Sequence, residues 1–347
     1  MATRWSAISN EIKAAGNSYD AVRRGYLKAL SDYTGRETVI YVVDFLEPHH
    51  GKPGSGTMLD LSDKVRFEEV TRGLKGPALD IVIESPGGYA EAAESIVRLL
   101  RSRFADIRFI VPNVAKSAAT MLALSGNALV MDVKSELGPT DPQMVFRREG
   151  ASLMSPAQAI LDQFQKAGKE IVGNPGLLPA WMPILNHYAP SLLTECENQL
   201  KLAHDLVAEW LEKYMFAADP NGKTKAETIS SFFADSHQHL SHGRSIDMVQ
   251  AKDLGLAVLD MSTDPELNGR VWDLYLAISI TFDNTPAVKI VENDLGDCVV
   301  LLGRQMEIPV AALQPTPPGS GPQHPVLPLP AGPNRGQRRQ MERHGRR

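Results

Sequence analysis

The run Ala78-Leu79-Asp80-Ile81-Val82-Ile83-Glu84-Ser85-Pro86-Gly87-Gly88-Tyr89 decides the fold class. Residues 78–83 are aliphatic apart from Asp80, which suits a strand buried within a sheet. Pro86, Gly87 and Gly88 end it: the proline sets one turn residue, and the glycines open backbone conformations closed to other residues. From Tyr89 the period changes. Tyr89, Ala92, Ile96 and Leu99 or Leu100 share one face of a helix expected over 89–104. The rhythm then repeats, with strands expected over 107–111 and 128–131 and a helix over 117–124, stopped at Gly126. Strand alternating with helix at this spacing predicts a parallel sheet with helices on its faces.

Working outward, residues 5–33 read as one or two amphipathic helices, closed by Thr34-Gly35, and 38–45 as a buried strand. Residues 47–58, with His49, His50 and three glycines, read as a mobile loop. Asp60-Leu61-Ser62-Asp63 caps a helix running to about Leu74. Residues 156–172 are expected to be helical, and Pro175, Pro179, Pro183 and Pro190 break up the stretch after them. Residues 191–216 carry Leu193, Cys196, Leu200, Ala203, Val207, Trp210 and Tyr214 at alternating steps of three and four, a helix that packs on the core or forms a seam between protomers. Residues 247–254 read as a short helix before Gly255, and 287–291 and 297–302 as strands. Residues 315–347 hold eight prolines, no aromatic residue and six arginines against one glutamate, a composition that cannot bury a core and predicts disorder.

A net charge of -5 excludes the global basic field that nucleic-acid binders use, so no specific nucleic acid is expected as a partner. Cys196 and Cys298 give neither a disulfide framework nor metal-ligand spacing, and read as reduced thiols of a cytoplasmic protein. Residues 1–30 alternate apolar and charged positions, unlike a signal peptide, and no window approaches the ~20 apolar residues of a membrane helix.

Two further runs carry chemistry: Ala115-Lys116-Ser117-Ala118-Ala119-Thr120 and Ser135-Glu136-Leu137-Gly138-Pro139-Thr140-Asp141-Pro142. A serine hydroxyl needs a base for its proton and donors for the oxyanion formed on attack. Ser117 comes after a strand and opens a helix, where unpaired backbone N–H groups favour negative charge. An N–H from the Gly87-Gly88 turn together with that of Ala118 would make a two-donor oxyanion hole. Taken alone, a serine opening a helix is most often a cap and Pro-Gly-Gly a common turn; their occurrence on successive strand–helix units shifts the weight toward a nucleophile.

On these motifs the sequence resembles the ClpP/crotonase superfamily, which includes the Clp proteolytic subunit and signal peptide peptidase A. It is most similar to the serine dehydrogenase proteinase family, through Ala115 to Thr120, Ser135 to Gln143, His242-Gly243-Arg244 and Lys289-Ile290-Val291-Glu292-Asn293. The resemblance spans roughly residues 5–295. It implies an α/β, ClpP/crotonase-like fold of repeated β-β-α units: a parallel sheet flanked by helices, with helical additions and a disordered C-terminal tail. The corresponding segments are an N-terminal helical segment (1–36), the serine protease domain (37–262), a helix and strand extension (263–314) and the tail (315–347).

The resemblance implies that Ser117 is the nucleophile and that Gly87, Gly88 and Ala118 form the oxyanion hole. It also implies a homo-oligomer acting on a peptide or protein substrate; no metal or cofactor is expected. The base departs from the Clp pattern, because Thr140 stands where that subunit's histidine would be and His242 falls near its distal acid. The first candidate base is therefore His242 oriented by Asp141, weighed against a histidine merely satisfied in a turn. Lys116 is a second candidate, although its neighbour position points its side chain away from Ser117. Lys166 and Lys169 are third, at roughly the distance of the signal peptide peptidase lysine, but in a polar helix context. His237, His239 and His242 match no common zinc spacing, and His49 and His50 read as exposed loop residues. Two other functions share these motifs: a crotonase-type acyl-CoA enzyme, and a non-catalytic scaffold that keeps the fold.

Overall fold

The structure, a computed structural model, describes residues 3–46, 56–148 and 151–303. The exposed loop expected around His49 and His50, and the disorder expected over 315–347, lie outside the described residues. In chain order the elements are α1 (Arg4–Ala14), α2 (Tyr19–Thr34), β1 (Glu37–Val43), α3 (Leu61–Thr71), β2 (Ala78–Glu84), α4 (Ala90–Arg101), β3 (Asp106–Ile110), β4 (Val114–Ala115), α5 (Ala118–Leu124), β5 (Ala128–Met131) and β6 (Glu136–Leu137). Next come β7 (Gln143–Arg148), β8 (Ala151–Pro156), α6 (Ala157–Gly173), α7 (Leu178–Leu185), α8 (Leu192–Trp210), α9 (Gly222–Ala234), α10 (Ser236–His239), β9 (Ile246–Asp247), α11 (Met248–Asp253), β10 (Val258–Asp260), α12 (Pro265–Asn284), β11 (Ala287–Asn293) and β12 (Cys298–Leu302).

One seven-stranded sheet runs in the order β10-β5-β3-β2-β1-β11-β12. The five strands from β10 to β1 are parallel, as the alternation of strand and helix predicts; β11 then pairs antiparallel with β1, and β12 antiparallel with β11. The central strands are buried on both faces. Tyr41, Ile81, Phe109 and Leu129 pack toward α3, α4, α5, α8 and α9; Ile40, Val82, Ile110 and Val130 pack toward α2 and α12. α1 closes over α2 and α12 through Ile8, Ile12, Val22 and Ile280. The helices before β1 and after β10 thus form one whole layer of the fold. A separate small core of Ala157, Ile160, Leu192 and Cys196 joins α6 to α8, with Met144 and Phe146 of the β7–β8 hairpin against it.

Two features place the site. The turn after β2 and the chain before α5 are joined by a parallel bridge: Ser85 N–H donates to Val114 O (3.2 Å) and Lys116 N–H to Ser85 O (3.0 Å). Beside them a second small sheet is built in the order β4-β6-β9, with β4 and β6 parallel and β9 antiparallel to β6.

Candidate active site

Ser117 stands between β4 and α5 with φ 51° and ψ −124°. Positive φ is uncommon outside glycine and costs energy, so it persists only where the surroundings impose it. The constraint is visible in the packing. Gly87 has φ +91°, and a Cβ placed on it would meet Lys116 O at 2.5 Å, Ser117 Cβ at 2.7 Å and Ala118 N at 2.8 Å. A strap at Leu59 presses on Gly88 from the other side, where an added Cβ would lie 2.1 Å from Leu59 O. Leu59 N–H donates to Gly87 O (2.8 Å) and Tyr89 N–H to Leu59 O (3.0 Å), which fixes the orientation of the peptides between them.

The donors divide unevenly. Gly87 N–H is taken by Ser85 Oγ at 3.1 Å. Among the described residues, Gly88 N–H and Ala118 N–H have no acceptor. Of the three residues expected in an oxyanion hole, two therefore offer unpaired donors, while Gly87 brings the two turns into contact. Ser85, named in the sequence only as part of the turn, holds it: it is fully buried and its hydroxyl locks the peptide of Gly87.

Asp141 and His242, 101 residues apart in sequence, come together, with His242 Nδ1 2.7 Å from Asp141 Oδ1. Asp141 is almost wholly buried, and its other oxygen accepts from Gln143 Nε2 at 2.9 Å. His242 is about a quarter exposed, so its ring is open to a substrate while its carboxylate partner is not. Leu240, two residues earlier, has φ 62°, another non-glycine residue in the left-handed region. Among the described residues no hydrogen bond joins His242 to Ser117 Oγ. Such bonds commonly tighten only when substrate is present. Thr140 lies buried beside Asp141 with no hydrogen-bond partner for its hydroxyl among the described residues.

The lysines fall elsewhere. Lys116 Nζ donates to Glu136 Oε2 (3.0 Å), Leu137 O (3.0 Å) and Ser245 Oγ (3.1 Å). Ser245 and Lys116, in that order of effect, hold the Glu136 carboxyl below its ordinary range against a partial burial that pulls the other way. Lys166 and Lys169 lie on the exposed face of α6, where Lys166 faces Glu170. The three histidines of the 237–242 stretch have separate partners: Asp162 for His237, Phe232 O for His239 and Asp141 for His242. Among the described residues, no group of histidine, cysteine, aspartate and glutamate is arranged to hold a metal ion.

Residues 59–277, well over half of the chain, match the profile of the ClpP-like SDH-type serine proteinases. The chain belongs to that family. It is also similar to two uncharacterized proteins of Methanocaldococcus jannaschii. With MJ0137 it shares 28% identity over 195 residues, 55% of this chain and 58% of that protein. With MJ1495 it shares 30% over 108 residues, 30% of this chain and 34% of that one. The chain thus spans less than two thirds of the length of either relative. Among solved structures, a mutant of the 1510-N membrane-bound stomatin-specific protease aligns over 61% of this chain and 79% of its own, at 14% identity and a TM-score of 0.36. ClpP1 from Listeria monocytogenes aligns over 64% of this chain and 91% of its own, at 12% identity and a TM-score of 0.35. The family profile covers the Leu59 strap, both turns, Asp141 and His242.

Proposed function

We propose that this chain is a serine peptidase that hydrolyses peptide bonds through an acyl-enzyme on Ser117. One observation carries the reading: the N–H groups of Gly88 and Ala118, without an acceptor among the described residues, lie beside a serine in the left-handed region that packs on Gly87, a position where no side chain fits. In this reading the donors serve the oxygen on which charge develops during attack, which is where fixed dipoles lower a barrier most.

In this mechanism His242 Nε2 removes the proton from Ser117 Oγ as the oxygen attacks the scissile carbonyl carbon. Asp141, fixed at Nδ1, sets the tautomer that leaves Nε2 free to accept and stabilises the imidazolium formed. The carbonyl oxygen becomes the oxyanion and accepts from Gly88 and Ala118. Collapse of the tetrahedral adduct breaks the C–N bond, and His242 returns the proton to the leaving amine. Water then attacks the ester with His242 again as base, releasing the acid and restoring the serine. The substrate is a peptide or protein, and the assembly a homo-oligomer. Neither Lys116, engaged by three oxygens, nor the exposed lysines of α6 is needed as base.

A non-catalytic scaffold is the second reading, favoured by the absence of a Ser117–His242 hydrogen bond among the described residues. Labelling with a fluorophosphonate and peptide mapping separates the two. Under the peptidase reading the label sits on Ser117, is lost in Ser117→Ala, and forms at least ~100-fold more slowly in His242→Ala. Folded wild-type protein that takes no label would favour the scaffold, and labelling of His242→Ala at the wild-type rate would remove His242 as base.

A further inference from the structure

We infer that Lys116 is a positioning residue that clamps the segments carrying Asp141 and His242 onto the segment carrying Ser117. This rests on the peptidase reading of the site and adds to it a residue that touches neither substrate nor reacting atoms.

The three candidate catalytic residues reach the site from three different stretches of chain. Ser117 comes just after β4, Asp141 lies four residues after β6, and His242 lies four residues before β9. Among the described residues, the strand pairing that ties all three stretches together is that of the small β4-β6-β9 sheet, and each of its strands is two residues long. Two parallel pairs, Val114–Glu136 and Ala115–Leu137, and two antiparallel pairs, Glu136–Asp247 and Leu137–Ile246, make up the whole ladder. Ladders this short have little stability of their own.

Lys116 supplies what the ladder lacks. It leaves the chain immediately before Ser117, and its ammonium engages all three of its possible donor directions: Glu136 and Leu137 O of β6, and Ser245, three residues after His242. Ser245 Oγ in turn donates to the same Glu136 oxygen that Lys116 holds, so the lysine just after β4, the carboxylate on β6 and the hydroxyl just before β9 form a closed ring. The lysine side chain is only 15% exposed, which strengthens the ion pair relative to one in open solvent.

The surrounding sequence makes room for this path. A Cβ at Gly138 would lie 2.5 Å from Lys116 Cδ, so a side chain there would displace the lysine stem. Thr120 of α5 ties the same corner from below, accepting from Gly138 N–H (3.0 Å) and donating to Ala115 O (2.7 Å). Lysine at this position therefore reads as a structural cation whose loss lets the His242 loop move relative to Ser117. A displacement of the order of 1 Å in such a constellation costs ~100-fold in rate.

The test uses the full-length protein and compares Lys116→Met, Lys116→Arg and Ser245→Ala. First, wild type, Ser117→Ala and His242→Ala are labelled with the fluorophosphonate, which establishes or removes the underlying reading by itself. Given a His242-dependent label on Ser117, Lys116→Met is expected to label about 10- to 100-fold more slowly. Lys116→Arg, which keeps the charge and the donors, should recover most of that rate. In the proton spectrum of protein labelled with nitrogen-15 histidine, the downfield His242 Nδ1–H signal should weaken in Lys116→Met and return in Lys116→Arg. Amide exchange at Leu137 and Ile246 should accelerate in the methionine variant. Ser245→Ala opens the clamp from its exposed side, remains informative if Lys116→Met does not fold, and should show a smaller loss in the same direction. Wild-type labelling, His242 signal and exchange in Lys116→Met, or in Ser245→Ala if the former does not fold, would overturn the clamp while leaving the catalytic reading intact. Equal loss in Lys116→Met and Lys116→Arg, with His242→Ala still labelled, would make Lys116 the base and overturn both.

Discussion

At the scale of single residues, the most constrained positions are those that bring backbone groups into contact. Gly87→Ala puts a Cβ within 2.5 Å of Lys116 O, at a φ that side chains rarely adopt. The variant should lose on the order of 1–3 kcal/mol of stability to backbone strain, read from its urea midpoint, and label Ser117 far more slowly. Glu84, three residues before that glycine, poses a different problem. Its carboxyl is nearly fully buried, and burial pushes its pKa up to about 8 despite hydrogen bonds from Asn113 and Tyr275 that pull the other way. Its second oxygen has no hydrogen-bond partner among the described residues, consistent with a neutral acid at pH 7. Because the folded value lies above the unfolded one of about 4.5, the folded state binds the extra proton between those values. The stability tied to this group is complete below pH 4.5 and falls as pH rises toward 8. Glu84→Gln should therefore melt progressively higher than wild type as pH is raised from about 5 to about 8, with little further change above that. A difference in melting temperature that is flat with pH would show that Glu84 is ionised or exchanges freely with solvent. The sequence presents Glu84 as an ordinary strand end; its burial under Tyr275 is set by a helix 191 residues away.

Among the elements, β11 does more than extend the sheet. Lys289 on it is fully buried and donates to both Asp63 oxygens (3.0 and 2.8 Å) and to Met58 O (3.0 Å). Tyr41 Oη and Arg66 also bind Asp63. Burial lowers the Lys289 pKa, and Asp63 opposes that shift. Through Met58 the pair anchors the strap whose next residue, Leu59, sets the Gly87-Gly88 peptides. Lys289→Met leaves Asp63 buried with one cation fewer and should cost about 3 kcal/mol in chemical denaturation. The added change Asp63→Asn should recover part of it. If the single variant is as stable as wild type, the strap is held by its backbone pairing alone. The sequence marks Lys289-Ile290-Val291-Glu292-Asn293 as a run of interest and as a strand. It does not reveal the antiparallel pairing with β1, nor that Lys289 points into the core, because period-two alternation cannot distinguish a paired buried cation from an exposed one.

For the whole molecule, one layer of helices shields the sheet on each side, while α6 and α7, with the short turn between them, leave Phe164, Leu177, Leu178, Met182 and Ile184 substantially exposed. α7 has no buried residue although it is strongly apolar. Light scattering after size exclusion should give a mass above that of the 37.9 kDa chain, and Met182→Glu with Ile184→Glu should reduce it. A monomer in both cases would assign that apolar face another role. Among the described residues, no helix is long and apolar enough to cross a membrane. The strand–helix alternation, the parallel core of the sheet, the two turns that meet at Ser117 and the family they mark can all be read along the chain. That is so because apolar period, glycine and proline act over a few neighbouring residues. Tertiary structure alone decided which donors stay unpaired, since Ser85 claims Gly87 and leaves Gly88 and Ala118. It also decided the environment of Glu84, and the engagement of Lys116 by three oxygens in place of a free amine. Those outcomes depend on contacts between residues as much as 191 positions apart, whose relative placement no local pattern encodes.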